Sequence, residues 1–361
     1  MARRRNAVNR ALDGRRAGPL LLDWSGARPE PEGVGGRVMF KISLDTVGYA
    51  GFFYDGPALS LEDALERAAR FGFDALDLWP HRPVGFPMDV SKDRRKRLVE
   101  RAGELGLAFS AIEAATDFRR SDHVLCPRQE KEILFVRECC ELARDLGCPV
   151  VRILAGYVGY FWHLGWNLGG ANTAMWNTRS LEVSRADDFL IEWEFAKRGI
   201  TEAAAIAADH GVTLALQNHP PLTNSTAETL AMVDEIGHPN LKITLDLPLF
   251  ECQDDDFIRA TVRAAGARMA HSHLIGIRFL GGLGNVYGFR EVHPAEGREN
   301  WIAFFKACKE IGYQGSFAHE QCSPTFGPGH RRPTLADVDR NHAEAAAWAK
   351  DVWARIDRGE L

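Results

Sequence analysis

Long apolar runs and an excess of basic charge are both missing from this sequence of 361 residues. No stretch of about 18 apolar residues occurs, so no membrane-spanning helix is predicted. The first apolar stretch, Pro19–Leu22, is shorter than the roughly 7 to 15 residues of a signal-peptide core, and we expect a cytoplasmic protein. A formal charge of -5 gives no overall attraction for nucleic acid or an anionic membrane. We therefore expect neither of these as a partner, and a small soluble substrate instead.

Paired cysteine motifs and nucleotide-binding loops are absent as well. The seven cysteines show no C-x-x-C spacing: Cys126, Cys139, Cys140, Cys148, Cys252, Cys308 and Cys322. This pattern disfavours a disulfide framework or a structural zinc cluster and favours reduced, buried thiols. No predicted strand is followed by G-x-G-x-x-G, and no G-x-x-x-x-G-K-[ST] loop occurs, which disfavours an open sheet that binds a dinucleotide or ATP.

The first part of the chain carries no usable hydrophobic period. Met1–Arg37 is rich in Arg, Gly and Pro, and its arginines are typical of a solvated tail. We predict a flexible N-terminal extension over these residues and one catalytic domain over residues 38–361.

From Val38 onward, short β-branched or aromatic runs alternate with amphipathic stretches of helical period. The predicted strands are Val38–Leu44, Ala75–Trp79, Ala108–Glu113, Val150–Leu154, Thr213–Asn218, Lys242–Asp246, Met269–Leu274 and Ser316–Glu320. The predicted helices that follow them are Leu61–Phe71, Lys92–Leu105, Arg128–Leu146, Ala186–His210, Ala227–Ile236, Asp254–Ala265, Trp301–Ile311 and Leu335–Ile356. Glycine stands at many helix ends, as in Leu146-Gly147-Cys148, where a positive φ can terminate a helix. Eight such units predict an α/β fold, a closed (β/α)8 TIM barrel.

Two long connections are predicted at the carboxyl ends of strands four and seven, over residues 155–185 and 276–300. In a barrel these loops surround the active site, and long loops in compact domains are usually functional. The first contains Tyr160-Phe161-Trp162-His163. Its aromatic rings can stack on a sugar ring or a planar aglycone, or they can simply cap the barrel mouth.

Polar side chains stand at the predicted carboxyl ends of strands five to eight, namely Gln217, Asp246, His273 and Glu320. In a barrel these positions point into one site, where ionised side chains without a counter-charge are costly. A divalent cation would supply that charge. An oxygen-rich set with one imidazole favours Mn2+, with Mg2+, Co2+ or Zn2+ as alternatives.

Several segments around these positions resemble the xylose-isomerase-like superfamily of sugar-phosphate isomerases and epimerases. The segments are Leu214-Ala215-Leu216-Gln217-Asn218-His219, Ile243-Thr244-Leu245-Asp246, the pair His271 and His273, Glu291-Val292-His293-Pro294-Ala295-Glu296-Gly297, and Ile311-Gly312-Tyr313-Gln314-Gly315. The resemblance covers Met39 to Ile356. It implies a TIM barrel whose metal ligands, commonly Glu, Asp, His and Glu, fall on Gln217, Asp246, His273 and Glu320.

Two positions depart from the pattern of this family. Gln217 stands where many members have Glu, and Leu249 stands where many have His. The resemblance implies epimerases that use two glutamates as bases on opposite faces of the substrate. A Gln oxygen can bind a metal, but a carboxamide cannot accept a proton at a useful pKa. We therefore predict single-base proton abstraction next to the carbonyl of a sugar or keto-sugar, followed by isomerisation, epimerisation or β-elimination.

The candidate catalytic and binding residues lie at strand ends and in predicted loops. The candidates for acid-base work are Glu320, His163, His219 and Glu113. The candidates for substrate binding are Trp162, His271, His293 and Arg278.

Some members of the superfamily form the large subunit of C-glycoside deglycosidases, which eliminate from 3-oxo-glucosides together with a small β-sandwich-like partner. This chain is similar to them in Gln217-Asn218-His219 and in its aromatic strand-four loop. The resemblance implies a homo-oligomer or a complex with a small second subunit. Two alternatives stay open. One is an endonuclease-type phosphodiesterase barrel, which the acidic charge disfavours, and the other is a non-catalytic sugar-binding barrel.

Overall fold

Eight parallel strands close a barrel in the computed structural model, which describes residues 40–119, 127–157, 186–283, 286–323 and 331–361. The barrel strands are β1 Ile42–Asp45, β2 Ala75–Leu78, β3 Ala108–Glu113, β4 Val150–Ile153, β5 Thr213–Gln217, β6 Leu241–Asp246, β7 Met269–Leu274 and β10 Phe317–His319. Strand β10 closes the ring between β7 and β1, with Ile42 opposite Phe317. The predicted (β/α)8 barrel is confirmed. The predicted extension over Met1–Arg37 lies outside the described residues and stays a prediction.

Helices follow the barrel strands and end within one residue of the predicted bounds. Within the described ranges they are α1 Leu61–Arg70, α2 Lys92–Glu104, α3 Gln129–Leu146, α4 Ala186–Asp209, α5 Thr226–Ile236, α6 Asp255–Ala265, α7 Trp301–Glu310 and α8 Leu335–Asp357. Helix α5 begins with a capping box, in which Ser225 and Glu228 each bind the other's backbone N–H. Helix α3 ends at Gly147, whose φ of 67° and left-handed conformation are accessible at little cost to glycine.

The connection after β7 was predicted as a loop over residues 276–300, and this prediction is wrong in part. Strands β8 Gly276–Leu283 and β9 Val286–Val292 form an antiparallel hairpin there. The dipeptide Gly284-Asn285 between two β-branched or aromatic runs is typical of a two-residue hairpin connection, a signal that the prediction did not use. Strand β8 begins two residues after the end of β7, so the hairpin extends from the carboxyl end of β7 at the barrel mouth.

Side chains alternate along the barrel strands between the helix layer and the barrel interior. Leucine, isoleucine, valine and phenylalanine side chains pack outward against the helices in one continuous core. Inside the barrel, the small side chains of Ala111, Val150 and Ala215 form a separate apolar cluster that Ala270 also contacts. Two residues further along the same strands the interior side chains are polar, as at Glu113, Arg152 and Gln217, and they too are buried. The interior is thus apolar below and charged towards the mouth.

The structure also describes most of the cysteines and the helices, for which the sequence predicts reduced, buried thiols and no membrane-spanning helix. Among the described cysteines, Cys139, Cys140, Cys148 and Cys308 are buried free thiols. None of the helices in the described ranges has the length and apolar character needed to cross a membrane.

A buried histidine pair between β10 and α8 makes stability depend on pH. The Nδ1 atoms of His319 and His342 lie 2.7 Å apart, and both side chains are shielded from solvent. Burial lowers the pKa of His342 to about 3, well below the roughly 6.5 of an unfolded histidine. The unfolded chain therefore binds more protons than the folded chain between these values. Stability from this source is complete above about pH 6.5 and falls as pH drops towards 3.

We expect the substitution His342→Gln to flatten this pH dependence. Between pH 7 and pH 5, linkage predicts that the wild type loses about 2 kcal/mol of unfolding free energy through His342, and the variant should lack that share. Urea unfolding at both pH values measures the difference, with His238→Gln, which is half-buried and outside the histidine pair, as the control. Equal losses in the wild type and in His342→Gln would contradict the assignment.

Candidate metal centre at the barrel mouth

The carboxyl ends of β5, β6, β7 and β10 bring together the four side chains predicted as metal ligands. Gln217 Nε2 donates a hydrogen bond of 2.8 Å to Asp246 Oδ2, and His273 Nδ1 lies 3.5 Å from the same oxygen. Glu320 directly follows β10 and places its Oε2 3.4 Å from His273 Nδ1. Ligand atoms of Asp246, His273 and Glu320 all lie within 4.8 Å of one another. Their convergence fits the prediction, although their role as ligands stays a proposal.

Local hydrogen bonds hold the ends of β5 and β6 in register. Asn218 Nδ2 donates to the carbonyl of Asp246 at 3.1 Å, and Asn218 Oδ1 accepts from the N–H of Asp246 at 2.7 Å. The hydroxyl of Thr223 donates to the carbonyl of Gln217 at 2.9 Å. Asn218 therefore fixes the backbone that carries Asp246. Its place after Gln217 was noted in the sequence, but its partner across the sheet could not be predicted.

A layer of charged side chains lies beneath this rim. Glu113 Oε2 lies 3.2 Å from His273 Nε2, and Glu113 Oε1 lies 3.1 Å from His271 Nε2. His271 Nε2 also lies 2.8 Å from Asp77 Oδ2, and Arg152 Nε donates to Glu113 Oε2. Carboxylates thus face His273 from both sides, Glu113 at Nε2 and the rim at Nδ1. Such partners fix the tautomer and the orientation of a metal-binding histidine.

The charges of this layer support an orienting role for Glu113. Burial pushes the pKa of Glu113 up, but Arg152, His273 and His271 hold it well below its ordinary value. Burial lowers the pKa of His271, and Asp77 and Glu113 more than offset this, so that it rises to about 9. Glu113 therefore stays ionised as a carboxylate, and His271 carries a positive charge beneath the rim. The predicted acid-base role of Glu113 and the predicted substrate contact of His271 stay predictions that their burial disfavours.

Glu320 lies in an acidic environment and is partly exposed. Burial raises the pKa of Glu320, and the carboxylates of Asp246 and Glu113 add to the rise, while His273 and Arg152 oppose it. Its side chain keeps 14% of its surface exposed, whereas Glu113 is fully buried. Among the metal candidates, Glu320 therefore combines access from the mouth with a carboxylate of increased basicity.

Several buried acidic residues, among them Asp45, Asp77 and Glu291, were not among the predicted site residues. Asp45, at the end of β1, accepts from the N–H of Val47, while its buried Oδ2 has no hydrogen-bond partner among the described residues. Burial raises the pKa of Asp45 well above its ordinary value, and Glu113, Glu320 and Asp77 raise it further. Glu291, on β9, is buried as well. Asp45 stands before a short helical turn, so its sequence indicates a cap and gives no signal of the site.

His219 lies beside the rim in a fixed tautomer. Its Nδ1 lies 2.6 Å from the carbonyl of Pro220 and must donate, which leaves Nε2 without a proton in the neutral ring. Tyr157 stacks on it with ring centroids 5.9 Å apart. Burial lowers the pKa of His219 to about 4, so the ring is neutral at pH 7. The catalytic role predicted for His219 stays a prediction.

The structure places two of the predicted substrate-binding residues in other interactions. His293 Nδ1 accepts from the N–H of Ala295, and its ring packs against Trp348 of α8. Arg278 is exposed and forms an ion pair of 3.0 Å with Glu296. Neither contact involves the rim residues. The predicted sites Trp162 and His163 lie outside the described residues.

The residues present fit a divalent cation. Gln217 Oε1 and Asp246 Oδ1 are buried and have no hydrogen-bond partner within the described part of the chain, so two oxygen donors are available at the rim. The buried carboxylates outnumber the buried cationic side chains of the interior, which are Arg152, His271 and His273. A cation would offset this excess, and its binding would release the proton that the surrounding carboxylates favour on His273.

The fold and the rim together define a (β/α)8-barrel protein with a polar, acidic centre at the carboxyl ends of its strands. The family model described as "Xylose isomerase-like TIM barrel" matches residues 65–352. The chain belongs to this family.

Relatives in the family carry names of sugar epimerases. The chain is 28% identical over 159 residues to D-psicose 3-epimerase of Ruminiclostridium cellulolyticum, which covers 42% of this chain and 48% of that protein. The match thus spans about half the length of this relative. L-ribulose 3-epimerase of Methylomonas sp. is 25% identical over 279 residues, with 74% of this chain and 81% of the relative covered. Among solved structures, the IOLI protein with a zinc atom gives a TM-score of 0.63 at 17% identity, covering 88% of this chain and 99% of that one. The likeness to that structure is one of fold alone.

Proposed function

We propose that this chain is a divalent-metal-dependent enzyme that removes a proton next to the carbonyl of a sugar or keto-sugar, with Glu320 as the single base. The observation that carries the proposal is the convergence of Asp246, His273 and Glu320 within 4.8 Å at one rim, beside Gln217. The sugar 3-epimerases among the relatives support the substrate class, and the zinc atom in the IOLI structure supports a metal. Gln217, Asp246, His273 and Glu320 would hold the ion, which we propose to be Mn2+.

The proposed reaction assigns a separate task to each group. A bound divalent cation would supply the positive charge that lowers the cost of negative charge on the substrate's oxygens. Glu320 accepts the proton from the carbon beside the carbonyl. The electron pair of the broken C–H bond forms a C=C bond, and the carbonyl oxygen takes the negative charge of an enediolate. Glu113 keeps His273 oriented from below through its contact of 3.2 Å.

The fate of the enediolate follows from the number of bases. If Glu320 returns the proton to the former carbonyl carbon, and a proton moves from the neighbouring hydroxyl to the former carbonyl oxygen, the product is an isomer. Return to the same carbon from the other face would need a second base. Gln217 cannot serve as that base, because a carboxamide does not accept a proton near neutral pH. Alternatively, the C=O bond re-forms, the electron pair of the C=C bond moves to join the α- and β-carbons, and the β-substituent leaves with its own bonding pair and takes the proton held by Glu320. We therefore propose isomerisation, or elimination from a 3-oxo-glucoside, over symmetrical two-base epimerisation.

Solvent deuterium tests this proposal. The purified chain, loaded with Mn2+, is incubated in D2O with keto-sugars, sugar phosphates and 3-oxo-glucosides. We expect one class to give product or recovered substrate with deuterium at the carbon next to the carbonyl, because the proton on Glu320 exchanges with solvent. A chelator-treated sample is the control. If no compound shows either exchange or a primary isotope effect at that carbon, the proposed chemistry is wrong.

A further inference from the structure

Glu291 is a buried acidic residue to which the proposed reaction gives no task. It lies on β9, near the end of the hairpin, and only 3% of its surface is exposed. Burying a carboxylate is costly unless hydrogen bonds compensate it. Its partners therefore indicate what the residue does.

All the side-chain hydrogen bonds described for Glu291 go to the segment that follows Glu320. Its Oε2 accepts from the N–H of Cys322 at 3.1 Å, from the N–H of Ser323 at 3.0 Å and from the hydroxyl of Ser323 at 3.0 Å. Cys322 and Ser323 belong to no strand or helix, so no regular ladder holds them. One carboxylate oxygen thus accepts hydrogen bonds from the backbone two and three residues after the proposed base.

The same segment is held from a second side, by helix α8. A different acidic residue binds the start of the hairpin. Asn341 of α8 donates to Gln321 Oε1 at 3.0 Å. The hairpin is tied where it begins, because the N–H of Ile277 donates to Glu299 Oε2 at 2.8 Å. Glu291 therefore connects β9 to the chain that carries Glu320, through hydrogen bonds that are separate from the one between Glu299 and Ile277.

We infer that Glu291 is a positioning residue that holds the Glu320 carboxylate in the barrel mouth by fixing the backbone after it. The inference rests on the proposed function for the role of Glu320, and on geometry alone for the hydrogen bonds. Supporting residues of a metal or catalytic group typically contribute 10- to 100-fold in metal affinity or activity. The same size of effect is expected here.

The test compares Glu291→Ala, Glu291→Gln and Glu299→Ala. Glu299 is the matched control, since it is also buried and also accepts a backbone N–H, but it binds the other strand of the hairpin. We expect Glu291→Ala to weaken Mn2+ binding about 10- to 100-fold in calorimetric titration and to lower kcat by a similar factor. Glu291→Gln keeps an accepting oxygen and should stay within about 3-fold of the wild type, as should Glu299→Ala.

Three results from the binding and activity measurements would overturn the inference. The first is wild-type Mn2+ affinity and kcat in folded Glu291→Ala. The second is a loss in Glu291→Gln as large as in Glu291→Ala, which would assign the effect to charge. The third is an equal loss in Glu299→Ala, which would assign it to the hairpin in general. Amide hydrogen exchange at Cys322 and Ser323 gives a readout without metal or substrate. Unchanged protection in Glu291→Ala also refutes the inference, whereas a wild type that binds no Mn2+ refutes the proposed function instead.

Discussion

Glu320→Gln is expected to lower kcat by about 10^2- to 10^4-fold while the chain stays folded, since this is the usual contribution of a positioned general base. The substitution keeps the size of the side chain and one accepting oxygen, but it removes the group that takes the proton. The other rim and sub-rim groups cannot substitute for it. Gln217 is a carboxamide, and Glu113 is tied to Arg152, His271 and His273 beneath the rim.

The measurement is kcat with whichever substrate incorporates deuterium, together with circular dichroism and metal content. Glu296→Gln is the matched control, because Glu296 is exposed and pairs with Arg278 away from the rim. It should keep activity within about 2-fold, as is usual for a surface substitution. A Glu320→Gln variant with full metal content and near-wild-type kcat would remove Glu320 as the base.

The fold could be predicted closely because its signals are local. Periods of 3.6 and 2 residues, together with helix-ending glycines, place each described helix within one residue of its predicted ends. Gly147 is an example, because the left-handed conformation that ends helix α3 is favoured by glycine and can be expected from that residue alone. The hairpin of β8 and β9 was missed because its turn signal, Gly284-Asn285, is only two residues long.

The rim of the site was also predictable, since barrel topology alone carries strand ends to one mouth. Asp246, His273 and Glu320 needed no further information to be placed together. The layer beneath them depends on register. His271 stands two residues before His273, and the depth at which it meets Asp77 and Glu113 follows from the stagger of strands, which a single sequence does not state. The same holds for Glu291, whose partners lie more than thirty residues away.

Asp246 is expected to decide whether the centre holds a metal at all. Asp246→Ala removes both carboxylate oxygens, including the buried Oδ1 that has no hydrogen-bond partner among the described residues. It also removes the acceptor of Gln217 Nε2 and the oxygen that faces His273 Nδ1. The remaining side chains, Gln217, His273 and Glu320, offer one charged oxygen ligand where the wild type offers two. We therefore expect the bound Mn2+ to fall from about one ion per chain to near none, and turnover to fall with it.

Stability gives an independent measure of the same loss. A ligand that binds the folded chain stabilises it by about 4 kcal/mol at a concentration of 1,000 times its Kd. Addition of Mn2+ should therefore raise the Tm of the wild type but not that of Asp246→Ala, which makes the metal-dependent increment the quantity to compare. Asp256→Ala is the control, because Asp256 is exposed in the first turn of α6 and is not one of the rim residues. If the wild type shows no increment, or if Asp246→Ala retains the full increment and one bound ion, then the excess of buried carboxylates is balanced within the protein itself and Asp246 is not a ligand.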